Sequence, residues 1–227
     1  MRPLTDLLDV LDPAWPALSA ELAAGPVLVL PVDAEQGRRC LLELQVTARS
    51  TLGALALHTG GLLVLDGWLR VYGGGSELPS LTAVNGADLA VGLVVAHDVL
   101  GGVFAVNGPG SADAGRPGAP GQIVYFAPDT VAWECLDIGY SDWLSWLLTD
   151  GPAEFYRSLH WPGWQIEAAA LELSQGIVVY PFPWSTQAAA DMGATRRRPV
   201  PMTELLGLAE NSCEQLGLPS PGFLGTL

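Results

Sequence analysis

The sequence predicts an α+β fold, an antiparallel, twisted sheet flanked by helices, and three observations predict it. Short runs rich in β-formers are separated by glycine-bearing turns such as Gly60-Gly61, Asp66-Gly67 and Gly101-Gly102. Those runs fall in two blocks, 53–72 and 93–136. Helical periods with capping residues stand at both ends of the chain and directly after the second block.

The second block is the most legible. Leu93-Val94-Val95-Ala96 and Val103-Phe104-Ala105-Val106 flank a glycine turn and read as a hairpin. Gly108 to Gly121 has no apolar period and is dense in glycine and proline, which predicts a mobile loop. Ile123–Phe126 is a third strand, Pro128-Asp129-Thr130 a turn, and Trp133–Leu136 a fourth strand that alternates apolar and polar positions. Ser141 to Leu148 then opens with a serine suited to cap a helix and an aspartate at the positive end of its dipole. A helix packed on a meander follows.

In the order of these elements, with "IVYFAPDTVAWECL" and then "YSDWLSWLL", the chain resembles the SUKH superfamily. Its best known bacterial members are immunity proteins that neutralise toxins used between competing cells. The resemblance covers about a third of the chain and implies a SUKH-like fold and a protein-binding role. A longer set of segments, "DPAWP", "GGLLVLDGWLRVYGGG", "HDVLGGVFAVNG" and "HWPGW", resembles an uncharacterised bacterial family of the same fold. The chain departs from short immunity proteins in its N-terminal helices, its 108–121 loop and its C-terminal extension.

From the N-terminus, Thr5–Leu11 is amphipathic, and Asp12-Pro13 opens a second helix that Gly25 ends. Val27–Leu30 is an extended link or buried strand, and Asp33 caps a helix through Leu44. Gly53–Thr59, Leu62–Leu65 and Trp68–Tyr72 read as three strands joined by Gly-Gly and Asp-Gly turns. Beyond the central block, Pro152–Leu159 and Gln165–Leu173 read as helices, and Ile177–Tyr180 as a strand that Pro181 and Pro183 confine to an edge. Ser185 to Pro201, with Arg196-Arg197-Arg198, reads as a linker, and Met202–Leu216 as the last helix. The expected organisation is one domain over 1–227, with N-terminal helices in 1–50, the core in 51–186, and a linker and helix in 187–227.

Composition narrows the function. The 227 residues are 49% hydrophobic and carry a formal charge of −14, with no lysine. That charge repels nucleic acid and anionic lipid, and it favours a basic protein partner. No apolar run approaches the ~18 residues of a spanning helix, and acidic residues follow the N-terminus where a signal peptide needs an apolar core, so the cytoplasm is the expected location. Cys40, Cys135 and Cys213 are far apart and odd in number, which predicts reduced thiols.

Without lysine there is no phosphate-binding GK[ST] loop and no Schiff-base lysine. G-x-S-x-G and H-E-x-x-H are also missing. No cofactor, metal site or catalytic residue is therefore expected, and each of His58, His97 and His160 reads first as a structural or surface histidine. Trp15, Trp133, Trp143 and Trp146 fall at core positions, whereas Trp68, Trp161, Trp164 and Trp184 lie near turns, where exposed rings serve as binding anchors. Asp98, Asp129, Glu134, Asp137 and Asp142 are expected around the meander as an acidic patch.

The candidate binding residues are thus Trp68, Asp98, Asp129, Glu134, Asp142, Trp161 and Trp164. The leading expectation is a non-enzymatic protein-binding module of the immunity type, directed at a basic toxin. One alternative is a small-molecule-binding or hydrolytic protein with a pocket near His97, Asp98 and Trp133. The other is a housekeeping scaffold.

Overall fold

Asp98 and two glycines make the reversal on which the sheet turns. Asp98 Oδ1 accepts hydrogen bonds from the backbone of Leu100 (2.8 Å) and Gly102 (2.9 Å), and Gly101 takes a φ of +87°, open to glycine at no steric cost. Strand β4 (Gly92–Asp98) thereby folds back onto β5 (Val103–Asn107), as the sequence predicts.

The computed structural model describes residues 1–227. Around that hairpin lie β1 (Val27–Leu30), β2 (Gly61–Val64), β3 (Leu69–Tyr72), β6 (Gln122–Ala127) and β7 (Ala132–Gly139). Each strand pairs antiparallel with the next, giving a seven-stranded sheet in the order β1-β2-β3-β4-β5-β6-β7. Strands β8 (Gln175–Tyr180) and β9 (Arg196–Pro201) form a separate two-stranded sheet. With ten α-helices, the fold is of the α+β class.

Side chains alternate across the sheet, so register separates its faces. Leu69 pairs with Asp98, which lies with Tyr125 and Phe104 on one face; Arg70 pairs with His97, which lies with Val103, Phe126 and Trp133 on the other. Helices α6 (Tyr140–Leu147) and α7 (Gly151–Phe155) cover the Asp98 face, where Trp143 and Phe155 meet the Phe104 ring at 5.3 and 6.0 Å. The β8–β9 unit, α10 (Met202–Leu216) and the irregular residues 218–227 cover the His97 face. A continuous core of 46 buried residues runs from Leu7 to Leu224.

Four sequence expectations are corrected. Gly53–Thr59 is not a strand but lies mainly in α4 (Thr51–His58), because the Ser50 hydroxyl caps Gly53 N and the Ala/Leu-rich run holds no β-branched residue after Thr51. Its glycine and alanines allow close packing on α3 (Ala34–Leu44), whose Gly37 has room for no side chain against the Ala56 and Leu57 carbonyls.

Second, 185–201 is not a linker: it holds α9 (Thr186–Ala190), a short 3-10 turn and β9, so the arginine run is paired strand. Third, Asp12 caps nothing, since its φ is +56° and α2 (Trp15–Ala24) starts later with Pro16 in its first turn. Finally, Ser141 caps nothing, since it lies inside α6, whose first turn follows Gly139, and its hydroxyl meets that of Thr51 at 2.9 Å. The 108–121 segment is a loop, with buried Arg116 lying 4.1 Å over the Trp133 ring and donating to the Phe223 carbonyl at 2.9 Å.

The proline-rich β8–β9 pair obeys the edge rule. Pro199 and Pro201 pair with Ile177 and Gln175, and a two-stranded sheet has no central strand whose ladder they would interrupt. No helix is long and apolar enough to cross a membrane.

Candidate functional site

The two central strands carry buried polar groups on both faces. On the helix-covered face, the fully buried Asp98 carboxyl is met by four donors: Leu100 N, Gly102 N, Tyr125 Oη at 2.6 Å and Tyr156 Oη at 3.2 Å. Burial pushes its pKa up, and the four donors pull the other way. Asp98 was expected in an exposed acidic patch and is instead a structural tie, because the turn it closes lies under Tyr156.

On the opposite face, Arg70, Tyr72 and His97 line a cleft of about 390 Å³, with Glu77 and Glu172 also in its wall. His97 is fully buried: Nε2 lies 2.7 Å from the Leu224 carbonyl and Nδ1 2.8 Å from the Tyr72 hydroxyl. A carbonyl can only accept, so Nε2 carries the proton, Nδ1 of the neutral ring accepts, and Tyr72 donates. The Leu224 carbonyl comes from residues 218–227, which cross this face and also accept from Trp133 Nε1 through the Pro221 carbonyl at 2.9 Å. His97, Asp98 and Trp133 therefore do not converge: Asp98 points to the other face, and Trp133 does not line the cleft.

Burial, with the charge of Arg70 assisting, holds the His97 pKa down to about 4 from an ordinary 6.5. Unfolding between those values takes up a proton at this residue, so its contribution to stability is complete above pH 6.5 and lost as pH falls through 4. About 3 kcal/mol is expected to disappear over that window. Urea unfolding across the window should show this slope in the wild type and not in His97→Gln; equal slopes would mean that His97 does not titrate on unfolding.

The aromatic candidates form a nest behind the β2–β3 turn. Trp68 is fully buried, with ring centroids of Tyr156, His160, Trp161 and Trp164 at 5.6, 4.6, 5.5 and 5.3 Å. Trp161 is buried as well, with Nε1 donating to Glu167 at 2.9 Å and the Arg197 guanidinium 4.7 Å over its ring. The expectation of exposed rings at Trp68 and Trp161 is thus corrected: turns flank them in sequence, but the segment between α7 and α8 (Trp164–Ala169), which carries Tyr156, His160 and Trp161, packs onto Trp68. Trp164 stays half-buried, stacked on His160 at 3.8 Å.

Of the acidic candidates, Glu134 and Asp142 are exposed and Asp129 is half-buried. They lie along the outer strand β7, in the turn before it and in the helix after it, and Glu134 accepts from the Thr130 hydroxyl at 2.8 Å. No group of three or more His, Cys, Asp or Glu side chains is gathered to hold a metal ion. Sequence reasoning missed Arg70 and Tyr72, which it placed in a strand without assigning a face. Their spacing of two, opposite a histidine in a neighbouring strand, was the available signal.

The chain is 34% identical over 218 residues to the uncharacterised protein YbfG of Escherichia coli (strain K12), covering 90% of this chain and 94% of that one. It is 32% identical over 192 residues to an uncharacterised protein of Haemophilus influenzae (strain ATCC 51907 / DSM 11121 / KW20 / Rd), covering 80% and 82%. No solved structure matches it. The model of the family described as "Protein of unknown function DUF2625" matches residues 4–205, which hold Arg70, Tyr72, His97 and Asp98 but not the segment that seals the His97 face, and the chain belongs to that family.

Proposed function

We propose that this protein is a non-enzymatic binding module of the immunity type, SUKH-like in fold and cytoplasmic, that occludes a basic toxin with the acidic margin of its sheet. The character of the β7 edge carries this reading. Beyond its pairing with β6, the strand makes no ladder, and Glu134, Asp137 and, one turn into α6, Asp142 stand exposed along it. Between Arg116 and Arg157 the chain has no basic residue. An open edge lined with like charge discourages self-pairing and attracts a cationic surface, and the net charge of −14 steers such a partner from a distance.

Low-salt affinity capture from source cells, with bound proteins identified by mass spectrometry, is expected to yield a stoichiometric basic protein that elutes as salt rises. The Glu134→Lys/Asp142→Asn variant, with its fold checked by circular dichroism, is expected to bind that protein roughly tenfold more weakly, chiefly through slower association. Capture insensitive to both salt and the variant would remove the acidic edge from the interface and overturn the reading.

A further inference from the structure

Arg70 is a buried cation without a counter-ion in contact. Its side chain is 2% exposed, and no carboxylate lies within ion-pair distance of it; the ion pairs of the molecule are Arg157–Glu154, Arg197–Glu167 and Arg198–Glu204. Nη1 donates to the Leu173 carbonyl at 2.8 Å and to the Gln175 carbonyl, which uses both of its protons. Nε is buried and meets no acceptor, and Nη2 makes no hydrogen bond to the protein. Burial lowers the guanidinium pKa to about 10, so the group is still charged at neutral pH. Asp98, a carboxyl whose charge acts on it from beyond ion-pair distance, sits on the other face with its oxygens committed to four donors.

A buried charge left in that state is destabilising, and Nη2, which is not closed off as Nε is, is the nitrogen left to donate to a ligand carboxylate. Arg70 lines the cleft of about 390 Å³, a size within the range of small-ligand sites. The other polar groups of the cleft define the rest of the ligand. Because Tyr72 spends its proton on His97, its oxygen is left as an acceptor. Glu77 and Glu172 are exposed, line the same cleft and pair with no cation. A dianion such as phosphate would meet one guanidinium and two carboxylates. A ligand with one carboxylate and one ammonium group finds a partner for each.

We propose that the cleft between β3–β4 and the β8–β9 unit binds a small amino carboxylate, its carboxylate on Arg70 and its amine toward Glu77 and Glu172. This goes beyond the protein-binding reading and does not depend on it, since the cleft and the β7 edge are separate surfaces.

The Nε–H resonances of the arginines in the full chain give a direct readout, with the Arg70 signal assigned by its loss in Arg70→Lys. Glycine, β-alanine, γ-aminobutyrate, succinate and inorganic phosphate serve as probes at millimolar concentration. At least one of the three amino carboxylates is expected to shift the Arg70 signal saturably and to bind more tightly than succinate or phosphate. The Glu77→Gln/Glu172→Gln variant, altered only at exposed positions, is expected to weaken that amino carboxylate about tenfold while leaving succinate unchanged or tighter. If no probe moves the Arg70 signal, if succinate or phosphate binds best, or if the double variant holds the amino carboxylate as tightly as the wild type, the proposal fails. Should Arg70→Lys not fold, calorimetric titration of the same probes into the wild type and the double variant gives the probe order and the tenfold loss without the assignment, and the same outcomes decide the matter.

Discussion

Asp98→Ala is expected to lower the unfolding free energy by about 4 kcal/mol. The carboxyl is fully buried, and its removal strands four donors, two backbone amides of the β4–β5 turn and the hydroxyls of Tyr125 and Tyr156. Each buried donor left without a partner costs about 1–3 kcal/mol, and local relaxation recovers part of the sum. Asp98→Asn keeps an acceptor for the turn amides, which share Oδ1, but presents an amide NH2 to both tyrosine hydroxyls, which share Oδ2, so about half the loss is expected. Tyr125→Phe should exceed Tyr156→Phe, because its bond to the carboxylate is 2.6 Å against 3.2 Å. Urea denaturation monitored by tryptophan fluorescence checks the series. A loss below about 1 kcal/mol for Asp98→Ala would mean that the turn holds itself without the carboxylate.

That carboxylate also shows where sequence reading stops. The hairpin, the meander and α3 were legible because period, turn chemistry and cap agree locally, as at Gly101 and Asp33, whereas the helix after the meander and the C-terminal helix were legible by period alone, with no side chain capping either. Gly53–Thr59 was misread because an unbroken run of small and apolar residues through Leu57 carries no helical or strand period, leaving only the weak preference of alanine and leucine for helix. The same limit hid the site. Asp98 looked like a turn aspartate, which it is, but the two tyrosine hydroxyls that bury it come from 27 and 58 residues further along the chain. Local pattern cannot announce contacts of that separation.

The two candidate surfaces divide along the same line. Glu134 and Asp142 stand exposed as the sequence suggested, because an edge strand and the solvent side of a helix show their polarity locally. Arg70 was invisible as a candidate, because its strangeness lies in what does not surround it. A lone arginine in an apolar strand reads the same whether it is paired across the sheet or not, and only the tertiary structure shows Nε without an acceptor.

Trp68→Ala is expected to cost about 4 kcal/mol, and this separates a core tryptophan from the binding anchor that its neighbouring turn suggested. An anchor on the surface would lose affinity with little change in stability. A fully buried ring surrounded by Tyr156, His160, Trp161 and Trp164 should do the reverse, because the cavity opens beneath the segment that joins α7 to α8. Trp164→Ala, at a half-buried ring, should cost under half as much. The Trp68 carbonyl also accepts from Val99 N at 2.9 Å, next to Asp98, and Tyr156 touches both the Trp68 ring and the Asp98 carboxyl. The two substitutions therefore share a partner, and the Trp68→Ala/Asp98→Ala double variant should be less destabilised than the sum of the singles. Strict additivity in the same urea assay would show instead that Tyr156 does not couple the aromatic nest to the turn.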